Sequence, residues 1–178
     1  MNMSTTTETT LSLPTEVRDV LNNFFTAEVS TVGKDGTPIT WPVCVHYRED
    51  RGDFLLSTSI GYPGKVVNLR RNNRISLSFS EPTGSGLSNP PHVVVQGRAQ
   101  VDEHITTDVK AYEDFWVENV MGPQPASKMF SSNPLMRWYM DVYYMRIFIT
   151  VSPVQISWWP NGDHSQELQT IKVASRVE

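Results

Sequence analysis

Three consecutive hydroxyl residues, Ser57-Thr58-Ser59, are followed closely by Gly61, Gly64 and Lys65, and then by Arg70, Arg71 and Arg74. Hydroxyl donors, backbone N–H groups freed by glycine, a helix start and a lysine ammonium together make an anion site suited to a phosphate. The plainer reading is a strand-to-helix turn whose Gly and Ser residues satisfy local geometry, with the arginines solvated. The order of residues is not that of a Walker loop, which needs Gly-x-x-x-x-Gly-Lys-Ser/Thr. A second candidate is Thr40-Trp41-Pro42-Val43, in which Pro42 has no N–H for a strand ladder and so marks an edge or a bulge with backbone groups open to a ligand. The indole of Trp41 suits the flank of a planar ring, although the pattern alone favours packing into the core in phase with Ile39 and Val43.

Other chemistry is weakly represented. His46, His92, His104 and His164 contain no pair spaced for a metal and no His-Glu-x-x-His run, so no metal site is expected. Nothing in the sequence around Cys44 marks a catalytic thiol, and no Gly-x-Ser-x-Gly elbow marks a serine nucleophile. No catalytic acid, base or nucleophile is assigned. Trp158 and Trp159 place two large rings at the end of a strand, either as a plug for a barrel mouth or at an interface.

The elements that must position these residues follow from periodicity. Leu13, Val17, Val20, Leu21 and Phe24 recur at helical spacing after Pro14, which predicts a short amphipathic helix over 14–24, lidding one end of a barrel. From Ala27 the period becomes two, with a Gly33-Lys34-Asp35-Gly36 turn between two strands, and a third strand runs over 54–58. Residues 65–72 read as a helix of about two turns, 74–80 and 92–101 as strands, and 81–91 as a long loop. Val109, Tyr112, Trp116 and Val120 mark a further helix, with an irregular loop at 124–133. Strand-like runs cover 142–151 and, after Pro153, 154–159. The expected fold is mainly β (α+β), an antiparallel barrel of six to seven strands with short flanking helices, because closure removes the sheet edges.

The chain has 178 residues, a net charge of −4 and 39% hydrophobic residues, which fits one domain with a real core and excludes collagen-like or wholly disordered classes. Residues 1–12 read as a disordered polar tail without a secretory signal, 13–160 as the domain, and 161–178 as a polar C-terminal tail. No apolar run approaches the roughly 20 residues of a membrane span. A lone cysteine, Cys44, suits a reducing compartment, and a cytoplasmic location is expected. The acidic balance, with pI near 5.6, argues against an OB-like nucleic-acid barrel, which needs a wide basic face.

Taken in order, Gly36-Thr37-Pro38, Trp41-Pro42-Val43, Leu56-Ser57-Thr58-Ser59, the run from Gly64-Lys65 to Arg71-Asn72, Ile75-Ser76-Leu77-Ser78-Phe79, Val95-Gln96-Gly97-Arg98-Ala99 and Pro153 to Trp159 resemble the pyridoxamine 5′-phosphate oxidase-like family of FMN-binding split barrels. The resemblance covers about residues 14–160. It implies a Greek-key split β-barrel, a homodimer, and two flavin sites in grooves between subunits. Lys65 matches the lysine on the cofactor phosphate, and Ser57, Thr58 and Ser59 match the residues beside the phosphate and ribityl chain. Trp41, Pro42 and Val43 match the segment facing the isoalloxazine, and Trp159 a tryptophan that the partner subunit lends. The true pyridoxamine phosphate oxidases carry basic residues where this chain has Trp41 and His46, and an arginine motif beyond the tryptophan, whereas residues 161–167 here contain no arginine. The similarity is therefore to the branch that uses FMN or the deazaflavin coenzyme F-420. The implied function is hydride transfer between such a cofactor and a small-molecule substrate, with no nucleic-acid or membrane partner. The alternative is a non-catalytic flavin or haem/tetrapyrrole binder of the same fold, for which His46 or His92 at the groove is the residue to watch. Residues 81–91 and 122–133 are the expected walls of substrate selectivity.

Overall fold

The computed structural model describes residues 12–106 and 145–173. Helix α1 (Thr15–Asn23) buries Val17, Val20 and Leu21. It is followed by strands β1 (Thr26–Val32), β2 (Pro38–Arg48) and β3 (Asp53–Ser59), helix α2 (Gly64–Arg71), and strands β4 (Arg74–Phe79), β5 (His92–Val101), β6 (Arg146–Trp159) and β7 (Gln169–Lys172). The first helix and the first five strands match the periodicity of the sequence to within a residue or two at their ends. The helix and loop expected over 109–133 lie outside the described residues.

All pairings are antiparallel, in the order β3-β2-β1-β4-β5-β6-β7, and an additional β3–β6 ladder closes the first six strands into a barrel. The sequence of neighbours β3-β2-β1-β4 is a Greek key: three consecutive strands, then a fourth that returns through α2 to the far side of β1. β7 lies outside the ring, paired with the second half of β6. The polar stretch beyond Trp159 thus contains a 3₁₀ turn at Pro160–Gly162 and a strand.

Alternation explains the filling. On β1, Ala27, Val29 and Thr31 are buried, and Leu77, Phe79, Val93, Val95, Ile149, Val151 and Ile156 join them in one core. The buried face of α1 completes that core at one end, where the Phe24 ring meets Phe79 edge-on at 6.5 Å.

The two strand-like runs on either side of Pro153 are one strand. The β5–β6 register slips between Gln96 and Gly97: Gln96 faces Gln155 while Gly97 faces Pro153, so Val154 is the extra residue of a bulge. A bulge is where a residue without an N–H is tolerated inside a ladder. Gly97 is required opposite it, since a Cβ there would lie 2.6 Å from the Ser152 carbonyl oxygen.

Candidate functional site

β2 overhangs β3. The β1–β2 ladder runs from Pro38 to Cys44, but the β2–β3 ladder takes in only Val45 to Arg48. Among the described residues the first half of β2 therefore has a strand on one side only, and Trp41-Pro42-Val43 lies in this stretch. Pro42, with no N–H to offer, fits a position where one flank of the strand carries no ladder. Trp41 is not part of the core, contrary to the alternation argument: it is half-buried, its ring edge approaches Gly64, and the Lys65 ammonium sits 5.2 Å from the ring centroid. The physical reason is the missing neighbour on that side of β2, which leaves the indole to be covered by the start of α2. Val43 does pack against the core.

The turn between β3 and α2 is tied by its own hydroxyls. The Thr58 hydroxyl donates to the Tyr62 carbonyl at 3.0 Å, and the Gly61 N–H donates to Ser59 Oγ at 3.3 Å. Ser57 is buried to 7% exposure, and among the described residues its hydroxyl has no hydrogen-bond partner. Of the three residues, Thr58 and Ser59 shape the turn while Ser57 keeps its hydrogen-bonding capacity for another partner.

This turn delivers α2 with an uncapped start. No side chain caps it, its first turn holds no acidic residue, and Pro63 precedes the first helical residues. An eight-residue helix with its first N–H groups unspent presents partial positive charge to an anion. The helix is held down by Val66 and Leu69 in the core and by a buried hydrogen bond from the Asn68 amide to Thr31 Oγ1 at 3.1 Å. Lys65, at the same end, is half-buried, and burial lowers the pKa of its amine, with the Arg146 charge adding to the effect. The arginine is the residue that pattern reading missed. It opens β6 opposite Ser59, and its charge is felt by Lys65 and by Cys44, whose thiol is nonetheless pushed up by burial. The signal for it in the sequence was a single arginine within an otherwise apolar and aromatic run. Ser57, Ser59, Trp41, Lys65 and Arg146 thus surround the mouth of the turn, with two cations converging.

The paired tryptophans divide their work. Trp158 is buried in the core, while Trp159 faces away with its ring 5.4 Å from His92 and 4.6 Å from His164. His92 Nδ1 and His164 Nε2 are 2.8 Å apart, and His92 Nε2 meets Ser78 Oγ at 2.9 Å. Burial lowers the pKa of His92, and the charge of His164 lowers it further, against an opposing contribution from Glu28. Within the chain Trp159 belongs to this histidine cluster rather than to the Lys65 mouth. Among the described residues no three His, Cys, Asp or Glu side chains gather as a metal site. No described helix is long and apolar enough to cross a membrane.

A family model described as pyridoxamine 5′-phosphate oxidase matches residues 13–137, more than half of the chain. The chain belongs to the pyridoxamine 5′-phosphate oxidase-like split-barrel family. No curated protein matches it. Solved members of similar fold include general stress protein 26 of Bacillus anthracis, with TM-score 0.56, 14% identity, 89% of this chain and 96% of that one covered. An F420 reductase gives TM-score 0.55 at 20% identity, covering 82% and 98%. A heme binding protein from Mycobacterium smegmatis gives 0.56 at 14%, covering 91% of this chain and 60% of that one. At these identities the similarity is one of fold. Proteins of this fold thus carry names that point to more than one ligand, and the donor set of this chain has to carry the choice.

Proposed function

We propose that this split-barrel protein binds a flavin-type cofactor, FMN or the deazaflavin coenzyme F-420, and serves as an oxidoreductase for a small molecule. The observation that carries the reading is the uncapped start of α2 with half-buried Lys65 beside it, at the turn that follows Ser57, whose hydroxyl has no partner among the described residues. Those donors fit a phosphate on a ribityl chain, and the open stretch of β2 at Trp41-Pro42-Val43 fits the edge of a planar ring. Lys65 holds the phosphate, and Arg146 adds a second positive charge to the same mouth. Thr58 and Ser59 keep the turn in the shape that aims α2 at it.

The cofactor, when bound, supplies hydride chemistry, so the protein need only bind, orient and exclude water. The active unit is a homodimer in which Trp159 of the second protomer covers the ring, bringing the His92–His164 pair to the edge of the site. A haem-binding role is less well supported, because both ring nitrogens of His92 are engaged, with Ser78 and His164.

Titration of the cofactor-stripped protein with FMN and, separately, with F-420, followed by fluorescence or anisotropy, tests the reading. Saturable binding of one at micromolar concentration or better, abolished by competing free phosphate ester, is the expected result. Binding of neither, with a Soret band on adding hemin instead, overturns it.

A further inference from the structure

Away from the Lys65 mouth, two groups of cations stand apart among the described residues. Arg18, Arg48 and Arg51 are ion-paired with Glu49, Asp53 and Asp50. Lys34, Arg70, Arg71, Arg74 and Arg98 have no carboxylate within ion-pair distance among the described residues, yet they crowd around the turn joining β1 to β2, the end of α2, the start of β4 and the second half of β5. Lys34, Arg70 and Arg71 line a hollow of about 610 Å³, floored by Val32, Gly33 and Leu69. Arg74 and Arg98 line an adjoining depression of about 340 Å³ that shares Val32 with it. Asp35, in the β1–β2 turn, is a carboxylate close enough to feel the charge of Arg71. It is engaged by the Thr37 N–H at 3.0 Å, and that hydrogen bonding holds its pKa down, so it stays ionised and offsets one of the charges.

The guanidinium groups are held in place by neutral oxygens. Arg71 donates one nitrogen to the Val32 carbonyl at 2.6 Å and to Asn68 Oδ1 at 3.1 Å. Arg70 donates to the Asp102 carbonyl at 3.1 Å, and Arg98 to Asn73 Oδ1 at 3.1 Å. A guanidinium has five N–H donors in a fixed fork, so each of these arginines is oriented by the protein and keeps donors for another acceptor. Arginines in a last helical turn also complement the helix dipole, but that accounts for Arg70 and Arg71 alone and not for Lys34, Arg74 or Arg98.

We propose that the hollow between the β1–β2 turn and the C-terminal end of α2 is a second anion site, which takes a compact polyphosphate. It lies at the opposite end of α2 from Lys65, roughly 10 Å away for an eight-residue helix at about 1.5 Å per residue. Three lining cations, partly offset by Asp35 in the adjoining turn, exceed what a single phosphoryl group needs, and the two further arginines extend the positive field beyond the rim. A nucleic-acid strand is disfavoured because the hollow and depression carry no aromatic ring on which a base would stack.

Inorganic pyrophosphate is the probe, titrated by calorimetry into the full chain at fixed low salt. The wild type binds it saturably. The double variant Lys34→Gln/Arg70→Gln binds about tenfold more weakly or worse, while Lys172→Gln, on the exposed face of β7, binds within about twofold of wild type. If the double variant fails to fold by circular dichroism, Lys34→Gln alone, on an exposed turn, carries the test with a loss of about threefold. The proposal is overturned if the wild type shows no binding, if the double variant binds equally well, or if Lys65→Gln abolishes binding, which would place the anion at the flavin-phosphate mouth. It is overturned as well if a single-stranded oligonucleotide binds this face more tightly than pyrophosphate does.

Discussion

Replacing Lys65 by alanine separates a ligand-binding lysine from a structural one, because the two roles predict opposite results. The ammonium is half-buried, and its pKa is lowered by that burial and by Arg146, so the folded protein holds this charge in a place that disfavours it. Its favourable contact among the described residues is the face of Trp41 at 5.2 Å, a cation–π interaction worth about 0.5–1 kcal/mol. Removing the charge gives up that contact and relieves the desolvation, so the ligand-free protein is expected to keep its stability within about 0.5 kcal/mol. Affinity behaves differently. A hydrogen bond to a charged group contributes about 1.5–3 kcal/mol, which is about tenfold to a hundredfold in Kd. Arg146 and the uncapped start of α2 remain, which puts the loss toward the lower end of that range. The assay is a paired one at constant salt: thermal melting of the stripped protein, and anisotropy titration with whichever of FMN and F-420 the wild type binds. A loss of at least about tenfold with an unchanged melt is the expected result. Unchanged affinity, or a melt lowered by several degrees, refutes the assignment of Lys65 to the phosphate.

Lys65→Arg should keep neutral-pH affinity within a few-fold but hold it further into alkaline solution than wild type, because the lysine amine loses its proton at lower pH than usual while a guanidinium does not; cofactor titrations across pH check this. Gly97→Ala should destabilise the barrel by about 2–3 kcal/mol, since its Cβ would sit 2.6 Å from the Ser152 carbonyl oxygen and 2.9 Å from Val151 Cγ1, and a lowered urea midpoint reads the effect. His92, with a folded pKa below the ordinary 6.5, contributes stability that is fully present above about pH 6.5 and is lost as the pH falls through its depressed folded value. His92→Gln should flatten that acid-side decline in melting temperature, and an equally steep decline in the variant would assign it to other groups.

Most of the barrel was legible because β1, β4 and β5 alternate cleanly and their ends are punctuated by Gly, Pro and Asn. The strand around Pro153 was read as two pieces for a sound local reason: proline breaks a ladder unless a bulge receives it, and the receiving residue, Gly97, lies more than fifty positions earlier. Trp41 was misplaced because alternation assumes a neighbour on both sides of a strand, and the overhang of β2 past β3 depends on register, which no single segment encodes. The phosphate grip was legible as composition, yet the division of labour within it was not. Which hydroxyl ties the turn and which is left for a ligand depends on where Tyr62 and Gly61 turn their backbone groups. Arg146 and the meeting of His92 with His164 bring together residues more than seventy apart, and only closure of the barrel makes them neighbours.

The pairing of β6 has a consequence for how the chain reaches this fold. β3 and β5 are the two outer strands of the sheet formed by β1 to β5, and β6 is the element that pairs with both. While the chain is being synthesised, a five-stranded open sheet with two unsatisfied edges must persist until residues 146–159 emerge. Exposed edges of this kind are templates for intermolecular pairing, and the sequence distance between β3 and β6 makes the closing step slow in itself. The last barrel strand therefore acts as a zip that ends an aggregation-prone interval, so the yield of soluble protein should depend more on the sequence of β6 than on any other strand.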